Sequence, residues 1–348
     1  MLIIARTTNS FSVLPTQISS ARVSSSVEVD EKLPSLVAVN ALSATHAWYE
    51  DFNNLEFGYE HIFGKWLTPM IKKRLHMDCF FLVNGWLANY YDNYPLTKKI
   101  SYLANVFSYD IRGTGKSIRS GPMTVKQAAL DMNHIFMKAL QERKILADSY
   151  GLKDIDTGNV FLLGSCIGGL PIAAAYAAKL PITKHVAGIV IISPISKFIP
   201  YKLAKTLYFL PPLVIALLKK WLALPIINKV LPGEDASDIK QLAITRIKRI
   251  DPFVTTRHAR EFLWKGDVKD AWKYISVPTL LLVGDNDPVA SLESSAEVYQ
   301  NLKYPIWVKL NAPSHLLLEY NLKYMHKNFP SFTKDPAQFF KDHMASKP

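Results

Sequence analysis

One stretch limits the fold more than any other. The apolar run Val160-Phe-Leu-Leu163 leads into Gly164-Ser-Cys166-Ile-Gly168-Gly169, and a small-residue segment rich in alanine follows. Closely spaced glycines after a short apolar run predict a buried strand that turns sharply into a helix. Such a turn strains the residue at its tip, and Gly164 and Gly168 keep side chains out of the crowded space around it. A helix starting at Ile167 would aim its N–H groups and positive dipole end at the Cys166 thiol, favouring thiolate and any oxyanion beside it. Cys166 is therefore the candidate nucleophile.

Other segments repeat the strand-then-helix theme. Cys79-Phe-Phe-Leu-Val83 stops at Asn84-Gly85, and 103–109 stops at Asp110-Ile-Arg112-Gly113-Thr-Gly115-Lys-Ser117. Residues 124–146 carry helical spacing, with Val125, Ala128, Ala129, Met132, Ile135, Phe136 and Leu140 on one face. Further strands are expected at 160–163, 186–193, 278–283 and 306–310. The last two end at Gly284-Asp-Asn-Asp287-Pro288 and at Asn311-Ala-Pro-Ser-His315. This alternation predicts an α/β fold, a mostly parallel sheet flanked by helices. Ligands of such sheets bind beyond the carboxyl ends of the strands, where all these motifs fall.

Residues 195–265 break the alternation. Helices are expected at 203–210, 213–222, 235–249 and 256–264, with Pro211-Pro212 separating the first two. The segment is apolar, yet it holds thirteen Lys and Arg against five Asp and Glu. It reads as an inserted helical cap. The α/β core would then comprise 36–194 and 266–348, with 1–35 a flexible or loosely packed arm.

Composition narrows the partners. The 348 residues are 49% hydrophobic, and 41 Lys+Arg against 29 Asp+Glu give a net charge of +12. No zinc-ligand spacing, RNA-binding signature or Arg-rich run accompanies that charge, so nucleic acid is not an expected partner. The positive rim suits an anionic lipid surface, the phosphates of coenzyme A, or an acidic acyl-carrier protein. Two cysteines, Cys79 and Cys166, make no disulfide framework, which suits a reducing, cytoplasmic setting. Residues 1–27 contain no acid and are rich in Ser and Thr, so organelle targeting through the arm is the alternative.

The motif order resembles that of the α/β-hydrolase superfamily over roughly residues 36–348. The resemblance implies an α/β-hydrolase fold with a triad of Cys166 as nucleophile, Asp287 as acid and His315 as base. Asp285 competes for the acid's role, and the superfamily position favours Asp287. The resemblance also places an oxyanion hole on the backbone N–H groups of Trp86 and Ile167. The box Gly-x-Cys-x-Gly-Gly is similar to those of dienelactone hydrolases and polyhydroxyalkanoate synthases. No Asp-Trp-Gly segment and no Gly-His at the late histidine accompany it, so polymer synthesis is not carried over. Asn84 stands where a histidine commonly precedes the oxyanion-loop glycine, and Pro171 falls early in the helix after the turn, where it is expected to kink it. The implied chemistry is acyl transfer from an apolar ester or thioester through an acyl-thioester, as acyltransferase or (thio)esterase, with no metal or organic cofactor. A carbon–carbon bond hydrolase and a non-catalytic binding protein on the same fold are the alternatives.

Overall fold

The computed structural model describes residues 62–68, 70–89, 104–152, 158–196, 209–230, 247–264 and 268–310, with residues 92, 97, 100, 101, 244, 245, 266 and 315. The arm at 1–35 and most of the helices expected at 203–210 and 235–249 fall outside them.

Among the described residues seven strands form one sheet: β1 (Gly64–Trp66), β2 (Cys79–Val83), β3 (Asn105–Tyr109), β4 (Val160–Ser165), β5 (Val186–Ile192), β6 (Thr279–Gly284) and β7 (Pro305–Leu310). Their spatial order is β1-β3-β2-β4-β5-β6-β7. Only β1 runs antiparallel, against β3; every other pair is parallel. Every residue of β2, β3 and β6 is buried, and β2 and β6 accordingly read as nearly continuous apolar runs rather than alternating ones. The three-residue β1 carries too little pattern to be seen in sequence. Gly64 lets it pass over the Phe107 ring, since a Cβ there would lie 2.5 Å from Phe107 Cζ.

Helix α1 (Val125–Ser149) begins where Thr124 accepts a hydrogen bond from the Gln127 N–H at 3.1 Å. Its expected apolar stripe is buried from Val125 to Phe136, with Leu140 partly covered. Phe136 sits against Phe81, Phe107 and Tyr109, with ring centroids 4.6, 5.9 and 5.3 Å away, and Trp66 closes the cluster on Phe81 and Phe107. A buried ring of this size contributes about 1.5–3 kcal/mol through burial alone. This core sets the floor on which the strand ends are held.

After β4 the chain makes one 3-10 turn, Cys166–Gly168, before helix α2 (Gly169–Ala177). The α-helix thus starts two residues later than the expected Ile167. Pro171 does not kink it, because it lies in the first turn, where N–H groups lack intrahelical partners anyway.

Between β5 and β6, in the expected cap, lie helix α3 (Pro212–Val230) and helix α4 (Pro252–Arg257), the latter continued by a π-helical stretch, His258–Trp264. Asp251 caps α4 by accepting from the Phe253 and Val254 N–H groups. The second half of this segment is fastened to the turn after β3. His258 Nε2 lies 2.7 Å from the Arg112 carbonyl, Arg257 donates to the Gly121 carbonyl at 2.6 Å, and Glu261 accepts from the Met123 N–H at 2.7 Å. Helix α5 (Leu292–Asn301) follows β6 and starts at a Ser291 cap.

Candidate active site

The tip of the turn after β4 is Cys166, with φ of +50°. A non-glycine residue in this left-handed region costs roughly 1–3 kcal/mol and persists only where its surroundings over-determine it. The surroundings here are three glycines. A Cβ on Gly164 would lie 3.0 Å from Gly169 N and from Ile191 Cδ1. One on Gly168 would collide with the Val83 carbonyl and lie 2.9 Å from the Asn84 oxygen, so this glycine lets the turn pack on the end of β2. Gly169 serves packing: a Cβ there would meet the buried Trp272 ring at 3.0 Å and Ile191 at 3.2 Å.

The loop after β2 lies against the same turn. A Cβ on Gly85 would sit 3.5 Å from the Ser165 hydroxyl and 3.9 Å from Cys166 Cβ. Trp86 follows directly, Leu87 adopts φ of +57°, and the Ala88 N–H closes the loop onto the Gly85 carbonyl at 3.2 Å. Trp86, one of the two expected oxyanion donors, thus belongs to a loop packed on the turn that holds Cys166 and the other, Ile167. Asn84 explains its own departure from the commoner histidine. Its amide donates to the Tyr109 carbonyl at 2.7 Å and to the Ser108 hydroxyl at 3.3 Å, tying the loop to the end of β3.

His315 and Asp287 come together as expected from their order. Asp287 follows β6 and His315 follows β7. His315 Nδ1 lies 2.9 Å from both Asp287 carboxylate oxygens. Asp287 Oδ1 also accepts from the Val289 and Ala290 N–H groups at 2.8 Å each, and its side chain is fully buried. The competing Asp285 instead accepts from the Asn286 amide at 3.0 Å. Burial favours the neutral carboxylic acid of Asp287, but the charge and hydrogen bond of His315 and the two backbone donors outweigh it and hold the pKa below the ordinary value. Burial likewise pulls on His315, and there too the neighbours prevail. The charge and hydrogen bonding of Cys166 and of Asp287 raise its pKa well above the ordinary imidazole value. With Nδ1 on the carboxylate, Nε2 is the nitrogen left for Cys166.

Sequence reasoning missed Ser193. It is buried at the end of β5, adopts φ of +52°, and donates from its hydroxyl to the His315 carbonyl at 3.3 Å. Its backbone N–H is paired with the Leu282 carbonyl at 2.9 Å, so it links β5, β6 and the histidine loop. Only the small polar residue at a strand end could have marked it. Cys79 behaves as expected of a core residue: it starts β2 opposite Val160, and burial pushes its thiol up to about 11.

The turn Asp110 to Ser117 is a brace. The Ser117 hydroxyl donates to the Asp110 carbonyl and accepts the Phe63 N–H at 2.8 Å. Buried Arg112 grips Asp131 with Nε and Nη2 at 3.0 and 3.1 Å. Beside it, a cavity of about 230 Å³ opens between Leu87, Thr114, Arg119, Thr245, Ile250 and Val254, between the loop after β2 and the segment before α4. Among the described residues no group of three or more His, Cys, Asp or Glu could hold a metal ion.

Comparison with known proteins agrees with this geometry. The family model described as serine aminopeptidase, S33, matches residues 104–307, more than half of the chain. A search of curated proteins finds no match. The enol-lactonase from Burkholderia xenovorans LB400 superposes with a TM-score of 0.59 at 16% identity, covering 81% of this chain and 97% of that one. The esterase from Exiguobacterium antarcticum gives 0.59 at 17% identity, with 80% and 97% covered. The bromoperoxidase from Bacillus anthracis gives 0.58 at 16%, with 80% and 96% covered. At such identities the likeness is one of fold, and the sheet order, the strained turn after β4 and the family match agree on it. The chain belongs to the serine aminopeptidase S33 family of α/β hydrolases, and it carries a cysteine at the tip of the turn.

Proposed function

We propose that this hydrolase-family member is an acyl-transfer enzyme with a Cys166, His315 and Asp287 triad, acting on an apolar ester or thioester. One observation carries the reading: His315 Nδ1 is clamped by the Asp287 carboxylate, and the charge and hydrogen bonding of the strained Cys166 act on the same imidazole. A free thiol is only a few per cent thiolate at neutral pH, and an adjacent imidazole held in one tautomer removes that limit.

In the proposed cycle the Cys166 proton passes to His315 Nε2, and the sulfur attacks the substrate carbonyl carbon. A C–S bond forms and the carbonyl electrons move to oxygen, which rests on the Trp86 and Ile167 N–H groups. Two such donors contribute on the order of 3 kcal/mol each where they are preorganised. The intermediate collapses, the bond to the leaving group breaks, and the leaving group takes the proton from His315. Water or an acceptor nucleophile then gives its proton to His315 and attacks the acyl-thioester, and the departing sulfur recovers the proton. No metal or organic cofactor enters this cycle. Thioesters react readily with thiols and amines, so the cysteine tilts the reading toward transfer between carriers, with thioesterase as the same cycle ended by water. A carrier with phosphate or acidic groups suits the positive charge of the segment 195–265.

The test is intact-mass measurement after exposure to a panel of acyl thioesters and aryl esters. An acyl adduct on Cys166, absent from Cys166→Ala and slow to form in His315→Ala, is the expected result. An adduct on another residue, or none with any donor, would refute the triad reading.

A further inference from the structure

Helix α3 presents a feature that no step of acyl transfer uses. Leu213, Leu217, Trp221 and Leu224 recur at i, i+4, i+8 and i+11, which places them on one helical face. All four are exposed, at 70, 67, 81 and 52% of their full surface. Four large apolar side chains aligned over about 16 Å of helix are not an ordinary soluble surface. We propose that this face docks on an anionic lipid bilayer, with α3 lying in the plane of the interface and Trp221 at the centre of the inserted stripe.

Charge selects this occupant. No Asp or Glu occurs anywhere between Asp156 and Glu234. Within 195–233 the chain instead carries six lysines, three of them (Lys219, Lys220 and Lys229) on α3 itself. Exposed large apolar side chains on an acid-free, lysine-bearing helix suit a lipid surface with anionic headgroups, where lysine stems reach the headgroups and the apolar groups insert. A second copy of the chain fits less well, because two copies of a segment this basic and free of acids repel each other. Spanning does not fit either: among the described residues, no helix is long and apolar enough to cross a membrane. The helix is also held in place for docking, since Lys219 donates to the Ile250 carbonyl at 2.9 Å and α3 packs on α4. This inference does not rest on the role of Cys166.

Co-sedimentation of the full chain with vesicles tests it. Phosphatidylcholine vesicles containing phosphatidylglycerol are expected to pull the protein down at low salt, high salt to release most of it, and phosphatidylcholine alone to bind little. Trp221→Glu is expected to weaken binding by roughly tenfold or more while thermal unfolding stays as in the native chain. Leu217→Ser provides the same test if Trp221→Glu does not fold. Absence of binding to anionic vesicles, equal binding to neutral ones, or undiminished binding by both variants would overturn the proposal. So would a dimer in light scattering that Trp221→Glu dissociates, which would assign the stripe to a second copy.

Discussion

Asp287→Asn separates the proposed chemistry from the fold better than any other single change. The carboxylate has two tasks. Its Oδ1 accepts from the Val289 and Ala290 N–H groups, and an asparagine oxygen can do the same. Its charge faces His315 Nδ1 at 2.9 Å, and there the asparagine presents an N–H instead. His315 must then offer Nδ1 as acceptor and carry its proton on Nε2, so it cannot take the proton of Cys166. The electrostatic loss has a definable size. Opposite charges about 4 Å apart at an effective dielectric of ~20 interact by about 4 kcal/mol, or on the order of 10³-fold in rate when the imidazolium forms in the transition state. The assay is kcat/KM on an activated ester, with thermal unfolding measured alongside across pH. The sign follows from the two shifts. Asp287 lies below its ordinary value, so its contribution is present above the usual carboxylate range and is lost as pH falls through its folded value. His315 lies above its ordinary value, so its contribution is complete below the usual imidazole range and is lost as pH rises through its raised value. The stability gap between native chain and variant should therefore be widest between those limits and narrow on both sides. A kcat/KM within tenfold of native, with an unchanged pH profile, would refute the assigned role of the carboxylate.

Two further outcomes follow from the turn and its neighbours. Gly168→Ala forces a methyl group into the Val83 and Asn84 carbonyls and should cost about 1–3 kcal/mol of stability, with a fall in kcat larger than in KM because the oxyanion loop moves; calorimetry and steady-state kinetics check it. Ser193→Ala removes one long hydrogen bond to the His315 carbonyl and should lower kcat by about fivefold with KM unchanged, Ser193→Thr restoring part of it.

Much of the fold was legible because parallel strands buried on both faces read as uninterrupted apolar runs, as at Cys79–Val83 and Thr279–Gly284. The sharp turn after β4 was legible because glycines mark crowding: Gly164 and Gly168 flank its tip at Cys166. What stayed hidden depends on partners far along the chain. Asn84 looked like a departure, and only the Tyr109 carbonyl gives it a task. Ser193 looked like the last residue of a strand, and only the His315 carbonyl gives it one. The π-helical stretch at His258–Trp264 carries no local sign; it is shaped by contacts such as that of His258 with Arg112, and burial there pulls the imidazole down to about 4. Helix α5 escaped because its ten residues are largely polar.

Backbone strain links these observations. Among the described residues four non-glycines adopt left-handed angles: Leu87, Cys166, Lys179 and Ser193. Lys179 lies just past the end of α2, an ordinary place for such an angle. The other three follow the carboxyl ends of β2, β4 and β5, which are neighbours in the sheet. Each belongs to a segment assigned a part in the cycle: the oxyanion loop, the nucleophile and the support of the histidine. A fold with no use for that edge would relax these positions to glycine or to ordinary angles, since each costs roughly 1–3 kcal/mol. Their confinement to three adjacent strand ends argues that the edge is shaped for binding a reacting group, and it does so without reference to any side-chain chemistry.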